Sequence, residues 1–376
     1  MSTRPPHILF AGGGTGGHVY PAIAIADAVR DLCSDAVAVF AGTRDRLEAR
    51  AVPQAGYALH PITVRGFQRA WTWENFRFPV ALMRGLMQSW RLTGAIAPDV
   101  VVGTGGYVAG PVGLAAWLRG IPLVVQEQNA YVGVTNRLLS PLAASVHTAF
   151  PEAQQALSQG RAHLSGNPIR PALLQADAQA SRARYGLSES ETVLLVTGGS
   201  LGSAALNDAM RAHHRALLQA FPHVHLWWQT GTRYYDALDR QVAAHPRLRL
   251  MEYIDRMDDA YAVADLALCR AGALTCSELL ATGTPAVLVP SPNVVADHQT
   301  KNARSLRDAG AASVLPESEL DTGLREALHP LLSDAERRAS MAEAARDHAK
   351  PEAARTIACD VLRQAGCALP PQSPCS

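Results

Sequence analysis

Gly12-Gly13-Gly14-Thr15-Gly16-Gly17-His18 follows a short apolar run, His7 to Ala11, and precedes Val19 to Arg30, where Val19, Ala22, Ile23, Ala26 and Val29 recur at helical spacing. That order reads as strand, tight glycine loop, helix. The glycines leave few Cβ atoms, so a ligand can come close to the backbone. The helix start adds unpaired N–H groups and a partial positive charge, which suit a phosphate. A similar run, Gly103-Thr104-Gly105-Gly106-Tyr107, follows Val100 to Val102, and a third, Gly198-Gly199-Ser200-Leu201-Gly202, follows Val193 to Thr197. Glycine loops repeated after separate strands point to phosphorylated ligands, more than one at a time.

Around these loops, strand and helix patterns alternate. Ala36 to Ala41, Leu59 to Val64, Ile121 to Val125 and Ala144 to Thr148 read as strands, and residues 45–56 and about 111–119 as helices. Gly166-Asn167-Pro168-Ile169-Arg170-Pro171 stops regular structure. A second series follows, with strands at Val193 to Thr197, His225 to Thr230, Leu248 to Tyr253, Asp265 to Cys269 and Ala286 to Val289. Such alternation predicts parallel sheets covered by helices. The expected architecture is α/β, two Rossmann-like domains with a ligand cleft between them. They span residues 1–167 and 168–350, with a C-terminal helix and loose tail over 351–376.

The chain has 376 residues with a formal net charge of +1, which argues against a nucleic-acid partner held by bulk electrostatics. Six cysteines form no C-x-x-C pair, so neither a disulfide framework nor a zinc site is expected. No apolar run approaches the roughly 18 residues that span a bilayer, and residues 1–11 lack a signal-peptide core, so a cytoplasmic protein is expected. Trp71 to Arg91 is unusual, carrying Trp71, Trp73, Phe76, Phe78, Leu82, Met83, Leu86, Met87 and Trp90 beside Arg77, Arg84 and Arg91. It reads either as a core helix with a solvated basic edge or as a patch that rests on anionic lipid.

Gly12-x-Gly14-x-x-Gly17 also fits a dinucleotide-binding loop. The second strand, however, ends in Ala41-Gly42-Thr43-Arg44, with no acid for the ribose of NAD. Arg44 would suit a 2′-phosphate, but one nicotinamide site does not explain a comparable loop in the second domain. No Gly-Lys and no Asp-x-Asp occurs, so neither a Walker loop nor the usual carboxylate pair for magnesium diphosphate is present. A departing diphosphate would rely on backbone N–H groups, hydroxyls and arginines.

Gly13-Gly14-Thr15-Gly16-Gly17-His18-Val19-Tyr20-Pro21-Ala22 resembles the MurG family of bacterial N-acetylglucosamine transferases. Gly103 to Pro111, Glu127-Gln128-Asn129, Gly166 to Arg170, Gly198-Gly199-Ser200-x-Gly202, Arg270-x-Gly272-Ala273-Leu274-Thr275-x-Ser277-Glu278 and Asp297-His298-Gln299 continue the match in order, over about residues 7–350. The resemblance implies the GT-B glycosyltransferase fold and an inverting, metal-independent reaction that needs no cofactor. In that reaction the 4-hydroxyl of N-acetylmuramic acid, on undecaprenyl diphosphate with its pentapeptide, attacks UDP-N-acetylglucosamine. The product is the lipid-linked disaccharide of peptidoglycan. The implied place is the cytoplasmic face of the bacterial inner membrane, bound peripherally, with other cell-wall synthesis proteins as further partners.

Carried onto this chain, the resemblance gives His18 as the base, a role that suits an imidazole near neutral pH. The alternative is that His18 caps the helix or contacts phosphate. Glu127 is the rival base, and Gln126 stands where the family often has His. Thr15, Gly16, Gly17, Asn129, Arg170, Ser200, Ile254, Ala273, Leu274, Thr275, Cys276, Ser277, Glu278 and Gln299 are implied for UDP-GlcNAc. Gly14, Gly103, Thr104, Gly105, Gly106 and Tyr107 are implied for the acceptor diphosphate. Glu278 reads either as the ribose ligand or as the end of a Thr275-x-x-Glu278 capping box. Ser291 to Ala296 matches less well and carries an insertion, which loosens the spacing to Gln299. A membrane patch is expected at Trp73, Phe76, Arg77, Met83, Arg84, Trp90, Arg91 and Trp117. Two other readings stand beside the transferase: a UDP-GlcNAc epimerase on the same plan, and a non-catalytic scaffold that binds the lipid intermediate.

Overall fold

Short runs of Val, Leu, Ile and Ala, apolar at every position, suit strands buried on both faces, and parallel sheets are built of such strands. The computed structural model describes residues 4–64, 78–157 and 160–367. It divides into two units, one reaching Ile169 and resuming at Pro351, the other Arg170–Lys350. Trp71, Trp73, Phe76, Arg77 and the expected tail from Ala368 lie outside the described residues.

The first unit holds β1 (His7–Gly12), β2 (Val37–Gly42), β3 (Ala58–Pro61), β4 (Val100–Gly105), β5 (Leu123–Glu127), β6 (Ser145–Thr148) and β7 (Ala162–Leu164). Their order is β3-β2-β1-β4-β5-β6-β7, and the pairs are parallel. The helices that position the site are α1 (Gly16–Leu32), α2 (Glu48–Gln54), α3 (Phe78–Ile96), α4 (Gly106–Leu118) and α5 (Val134–Leu139). Side chains alternate across the sheet. Ile8, Phe10, Val100 and Val102 pack on Val19, Ala22, Ile25, Ala26 and Val29 of α1, and on Ile357, Ala358, Val361 and Leu362 of the last helix, Ala353–Gln364. Leu9, Ala11, Val101 and Val125 face Val108, Ala109, Val112 and Ala116 of α4. The last helix thus completes the first unit's core from the far end of the chain.

The second unit holds β8 (Thr192–Thr197), β9 (Val224–Gln229), β10 (Leu248–Met251), β11 (Leu266–Cys269), β12 (Ala286–Leu288) and β13 (Ala312–Val314), in the parallel order β10-β9-β8-β11-β12-β13. Leu194, Val196, Leu226, Trp228 and Leu268 pack against Leu206, Met210 and Leu217 of the helix Ala204–Ala220.

Both domains are therefore doubly wound α/β sheets. Two edge strands, β7 and β13, escape the sequence reading because each has three residues that are only partly buried and mixed in polarity, so neither shows as an apolar run. The second glycine run is not a loop. β4 continues through Gly105 and α4 starts at Gly106, because φ of +105° and +75° at these two residues turns the strand directly into the helix. Among the described residues Cys33, Cys269, Cys276 and Cys367 are free thiols, whereas Cys359 is disulfide-bonded, a pairing the spacing did not suggest.

Candidate functional site

In each sheet the order reverses beside the first strand of the unit, and such switch points are where open α/β sheets hold ligands, at the C-terminal strand ends. In the first unit the reversal lies between β1 and β4, so the first two glycine runs leave neighbouring strands. They pack closely. A Cβ on Gly12 would lie 2.0 Å from Thr104 Oγ1, and one on Gly106 would lie 2.3 Å from the Gly13 carbonyl oxygen. Thr104 Oγ1 donates to the His18 carbonyl at 2.8 Å.

Glu48 fixes the first loop from below, a role no motif announces. It is fully buried and accepts from Gly14 N at 3.0 Å, Thr43 N at 3.1 Å and Thr43 Oγ1 at 2.7 Å. Burial pushes its carboxyl up, but the hydrogen bonds from Gly14 and Thr43 outweigh burial and hold it below the usual carboxylate range.

His18 stands in the first turn of α1, after the exposed Thr15. Its Nδ1 lies 2.9 Å from the Thr104 carbonyl oxygen and 2.9 Å from Gln128 Oε1. The Gln128 amide is oriented by its own Nε2, which donates to the carbonyls of Thr104 at 2.7 Å and Gln126 at 3.1 Å. Nδ1 therefore faces two acceptors and carries the ring proton. In the neutral ring this leaves Nε2 as the acceptor nitrogen, and no described residue hydrogen-bonds it.

Glu127 is held differently. It is 1% exposed. Oε1 accepts from Asn129 N at 3.0 Å and Asn129 Nδ2 at 3.4 Å. Oε2 accepts from Gly133 N and Asn136 Nδ2, each at 2.9 Å. The acceptor positions of both oxygens are occupied, and the carboxylate anchors the loop that leads from β5 into α5. Gln126 pairs with Asn167 Oδ1 at 2.9 Å and with Gln128, not with Glu127. The amide in place of the family's His is thus a member of a buried amide network.

In the second unit the reversal lies between β8 and β11, where Thr197 pairs with Cys269. The loop carrying Ser200 and the helix Ala273–Thr282 leave the sheet side by side at this point. That helix is capped by Gly272, which makes Thr275 its third residue, so Thr275 and Glu278 form no capping box. Instead Glu278 accepts from Tyr261 Oη at 3.1 Å and lies 3.7 Å from Arg170 Nη2. Burial raises the Glu278 carboxyl above its ordinary range, and Arg170 and Tyr261 only partly offset this. Two implied UDP-GlcNAc residues, Arg170 and Glu278, are thereby brought together. Ser200 is exposed, Ile254 is buried just before the helix Met257–Val263, and Gln299 Oε1 accepts from Ser291 N at 2.9 Å. Ala273, Leu274, Thr275 and Ser277 are partly exposed, while Cys276 turns its thiol into the core and offers a ligand only its backbone. Arg270 donates to Ser203 Oγ at 2.7 Å and pairs with Glu317, clamping the start of the helix Ala204–Ala220.

α3 is built inside out. Ala81, Gly85, Ser89 and Thr93, all small, form its buried stripe, while Met83, Met87 and Trp90 are exposed beside exposed Arg84 and Arg91. Trp117 and Leu118 at the end of α4 are exposed too, and Arg119 stacks on the Trp90 ring at 3.8 Å. The core-helix reading fails for these residues, because the large apolar side chains point outward. Among the described residues no helix is long and apolar enough to cross a membrane, and no group of three or more His, Cys, Asp or Glu is placed to hold a metal ion.

The glycosyltransferase family 28 N-terminal domain matches residues 8–148, and the glycosyltransferase family 28 C-terminal domain matches residues 193–357. The chain belongs to glycosyltransferase family 28. It is 65% identical, over 96% of its length and 98% of the relative's, to the UDP-N-acetylglucosamine–N-acetylmuramyl-(pentapeptide) pyrophosphoryl-undecaprenol N-acetylglucosamine transferase of Salinibacter ruber. The crystal structure of Acinetobacter baumannii MurG superposes with a TM-score of 0.78 at 31% identity, covering 96% of this chain and 100% of that one. Within family 28, the likeness is thus to the MurG enzymes. A UDP-GlcNAc 2-epimerase from Neisseria meningitidis, bound to UDP-GlcNAc, superposes with a TM-score of 0.67 over 96% of this chain and 100% of that one, at 12% identity. At that identity it shares the fold alone.

Proposed function

We propose that this chain transfers N-acetylglucosamine from UDP-GlcNAc to the 4-hydroxyl of N-acetylmuramic acid on undecaprenyl-diphosphate-linked muramyl pentapeptide. The observation that carries the mechanism is the His18 tautomer. With Nδ1–H committed to Thr104 O and Gln128 Oε1, Nε2 takes the proton as the acceptor oxygen bonds to the anomeric carbon. The bond from that carbon to the UDP oxygen breaks on the opposite face, which inverts the centre and gives a β1→4 link. Glu127, its lone pairs filled by N–H groups, serves as a positioning residue for the loop. Gly14, Gly103, Thr104, Gly105, Gly106 and Tyr107 receive the acceptor diphosphate at the switch point, and Thr15, Gly16 and Gly17, at the start of α1, are assigned to UDP-GlcNAc.

In the second unit Glu278 accepts the ribose hydroxyls, Ile254 meets the uracil through its backbone, and Arg170, Ser200 and the helix start at Ala273 face the UDP diphosphate. Gln299 and Asn129 are assigned to the sugar. Departure of UDP rests on N–H groups, hydroxyls and Arg170, without a metal. The exposed Met83, Trp90 and Trp117, with Arg84 and Arg91, dock the first unit on the anionic cytoplasmic face of the inner membrane.

The test is UDP release from UDP-GlcNAc in EDTA, with and without a short-chain lipid-linked muramyl pentapeptide. Release that requires acceptor and ignores EDTA is expected. Release without acceptor would mean a hydrolysing epimerase, and acceptor binding without any release would mean a scaffold.

A further inference from the structure

A cavity of about 400 Å3 lies in the first unit, and its lining contains none of the residues in the polar network around His18. Tyr107, Gly110, Pro111 and Leu114 line it from one face of α4, Leu82 and Leu86 from α3, and Val134 and Leu138 from α5. Thr135 and the Tyr107 hydroxyl are its polar side-chain groups; the other lining is aliphatic. Two features define what it would hold. Its lining includes Tyr107, the residue directly after Gly105-Gly106, so part of it adjoins the glycine run at the switch point. Part of its wall is exposed apolar surface, with Leu82, Val134 and Leu138 42%, 69% and 70% exposed and Met83 and Met87 exposed on the same helix α3. A contiguous exposed apolar patch of this kind marks a surface that meets a ligand, a membrane or another protein.

We propose that this cavity is a subsite for the diphosphate-proximal isoprene units of the acceptor's polyprenyl chain. The inference rests on the transferase reading for the identity of the acceptor and adds a ligand site to it. The chain is covalently joined to the diphosphate, and Tyr107 puts part of the cavity's lining next to the glycine run, so the first units of a tail bound through its diphosphate there come within the cavity's reach. At about 400 Å3 the cavity is of a size for a short run of branched isoprene units and not for a whole polyprenyl chain. Leu, Val and Pro walls match branched methyl-bearing chains, and burial there gives the acceptor affinity that the membrane alone would not provide.

The test uses direct calorimetric binding to the full chain, with dimethylallyl, geranyl and farnesyl diphosphates as a length series and dodecyl diphosphate as a straight-chain control. Affinity is expected to rise by about tenfold or more from dimethylallyl to farnesyl, with dodecyl binding more weakly than farnesyl. Gly110→Leu fills the cavity. A Cβ at Gly110 meets only Thr135 Cγ2, at an ordinary 3.6 Å, and leucine is a better helix former than glycine, so the fold is retained. The variant is expected to lose the length dependence while still binding inorganic diphosphate, and Leu86→Trp provides a second filled cavity. A flat length series in the parent protein, or a series unchanged in both filled variants, would overturn the subsite. Equal binding of dodecyl and farnesyl would assign the cavity to acyl chains instead. Because binding is read without turnover, length-dependent binding in a protein that releases no UDP would sink the transferase and leave the subsite standing.

Discussion

Replacing Glu48 with glutamine tests whether the first glycine loop is held from below. The carboxylate accepts three hydrogen bonds, two from Thr43 on Oε1 and one from Gly14 N on Oε2. Bonds to a charged acceptor contribute about 1.5–3 kcal/mol each. Glutamine preserves the shape and can keep its oxygen toward Thr43, in the weaker neutral form. Its NH2 then faces the Gly14 N–H, so one charge-assisted bond is lost and one buried donor is left unmatched. The expected destabilisation of the first unit is about 3 kcal/mol. The sign with pH follows from the depressed carboxyl. Its contribution is complete above the unfolded pKa of about 4.3 and disappears as pH falls through the folded value. The gap between parent and variant therefore closes in acid. Urea unfolding across pH measures this. Steady-state kinetics supply the functional half: kcat/KM for the acceptor falls, because Gly14 lies in the loop that leads into His18. A variant as stable as the parent at pH 7, with unchanged acceptor kinetics, would refute the argument.

Asp360→Asn should loosen the last helix. Burial disfavours its charge, but hydrogen bonds from His147 and Ser145 bring its carboxyl from 3.8 to about 2. That difference is worth at most about 2 kcal/mol at neutral pH, present above 3.8 and lost as pH falls toward 2, which thermal unfolding against pH will read. Glu278→Gln is expected to raise KM for UDP-GlcNAc about tenfold; because its carboxyl titrates above the ordinary range, affinity in the parent should weaken on acidification sooner than for an ordinary glutamate. Gln128→Leu should lower acceptor turnover about five- to tenfold, and 15N shifts of the His18 ring should show mixed tautomers in place of Nδ1–H alone.

The doubly wound sheets were legible because buried parallel strands are continuous apolar runs, and because His7 to Ala11 and Val193 to Thr197 lead directly into glycines. The sequence also showed which residues could carry chemistry. It did not show how the carboxylates are used. Glu48 belongs to no motif; it is recognisable only once β1 and β2 lie side by side, since Gly14 and Thr43 are then both within reach. The capping box at Thr275 and Glu278 fits the pattern yet fails in space, since Gly272 starts the helix three residues earlier than the pattern requires. On α3 the composition could not tell inside from outside. Apolar residues are numerous enough to suggest a core helix, but the buried stripe is made of Ala81, Gly85, Ser89 and Thr93, and Gly85 comes so close to its neighbour that a Cβ would lie 2.9 Å from the Thr63 carbonyl oxygen. Close approach selects the small face for burial, and the large residues are left outside.

The same accounting separates the two candidates for the base. A buried carboxylate is stable when N–H groups fill its lone pairs, and each lone pair filled in this way is withdrawn from chemistry. Glu48 and Glu127 are both in that condition: one holds the loop before α1, the other the loop before α5. His18 has the opposite assignment. Its Nδ1 is used for support and its Nε2 is not. An imidazole can divide those tasks between two nitrogens, whereas Glu127, with both oxygens engaged, would have to release the loop to accept a proton. Freeing Glu127 for catalysis would cost about 1–3 kcal/mol for each N–H left unpaired, a cost that the proposed base, Nε2 of His18, would not carry.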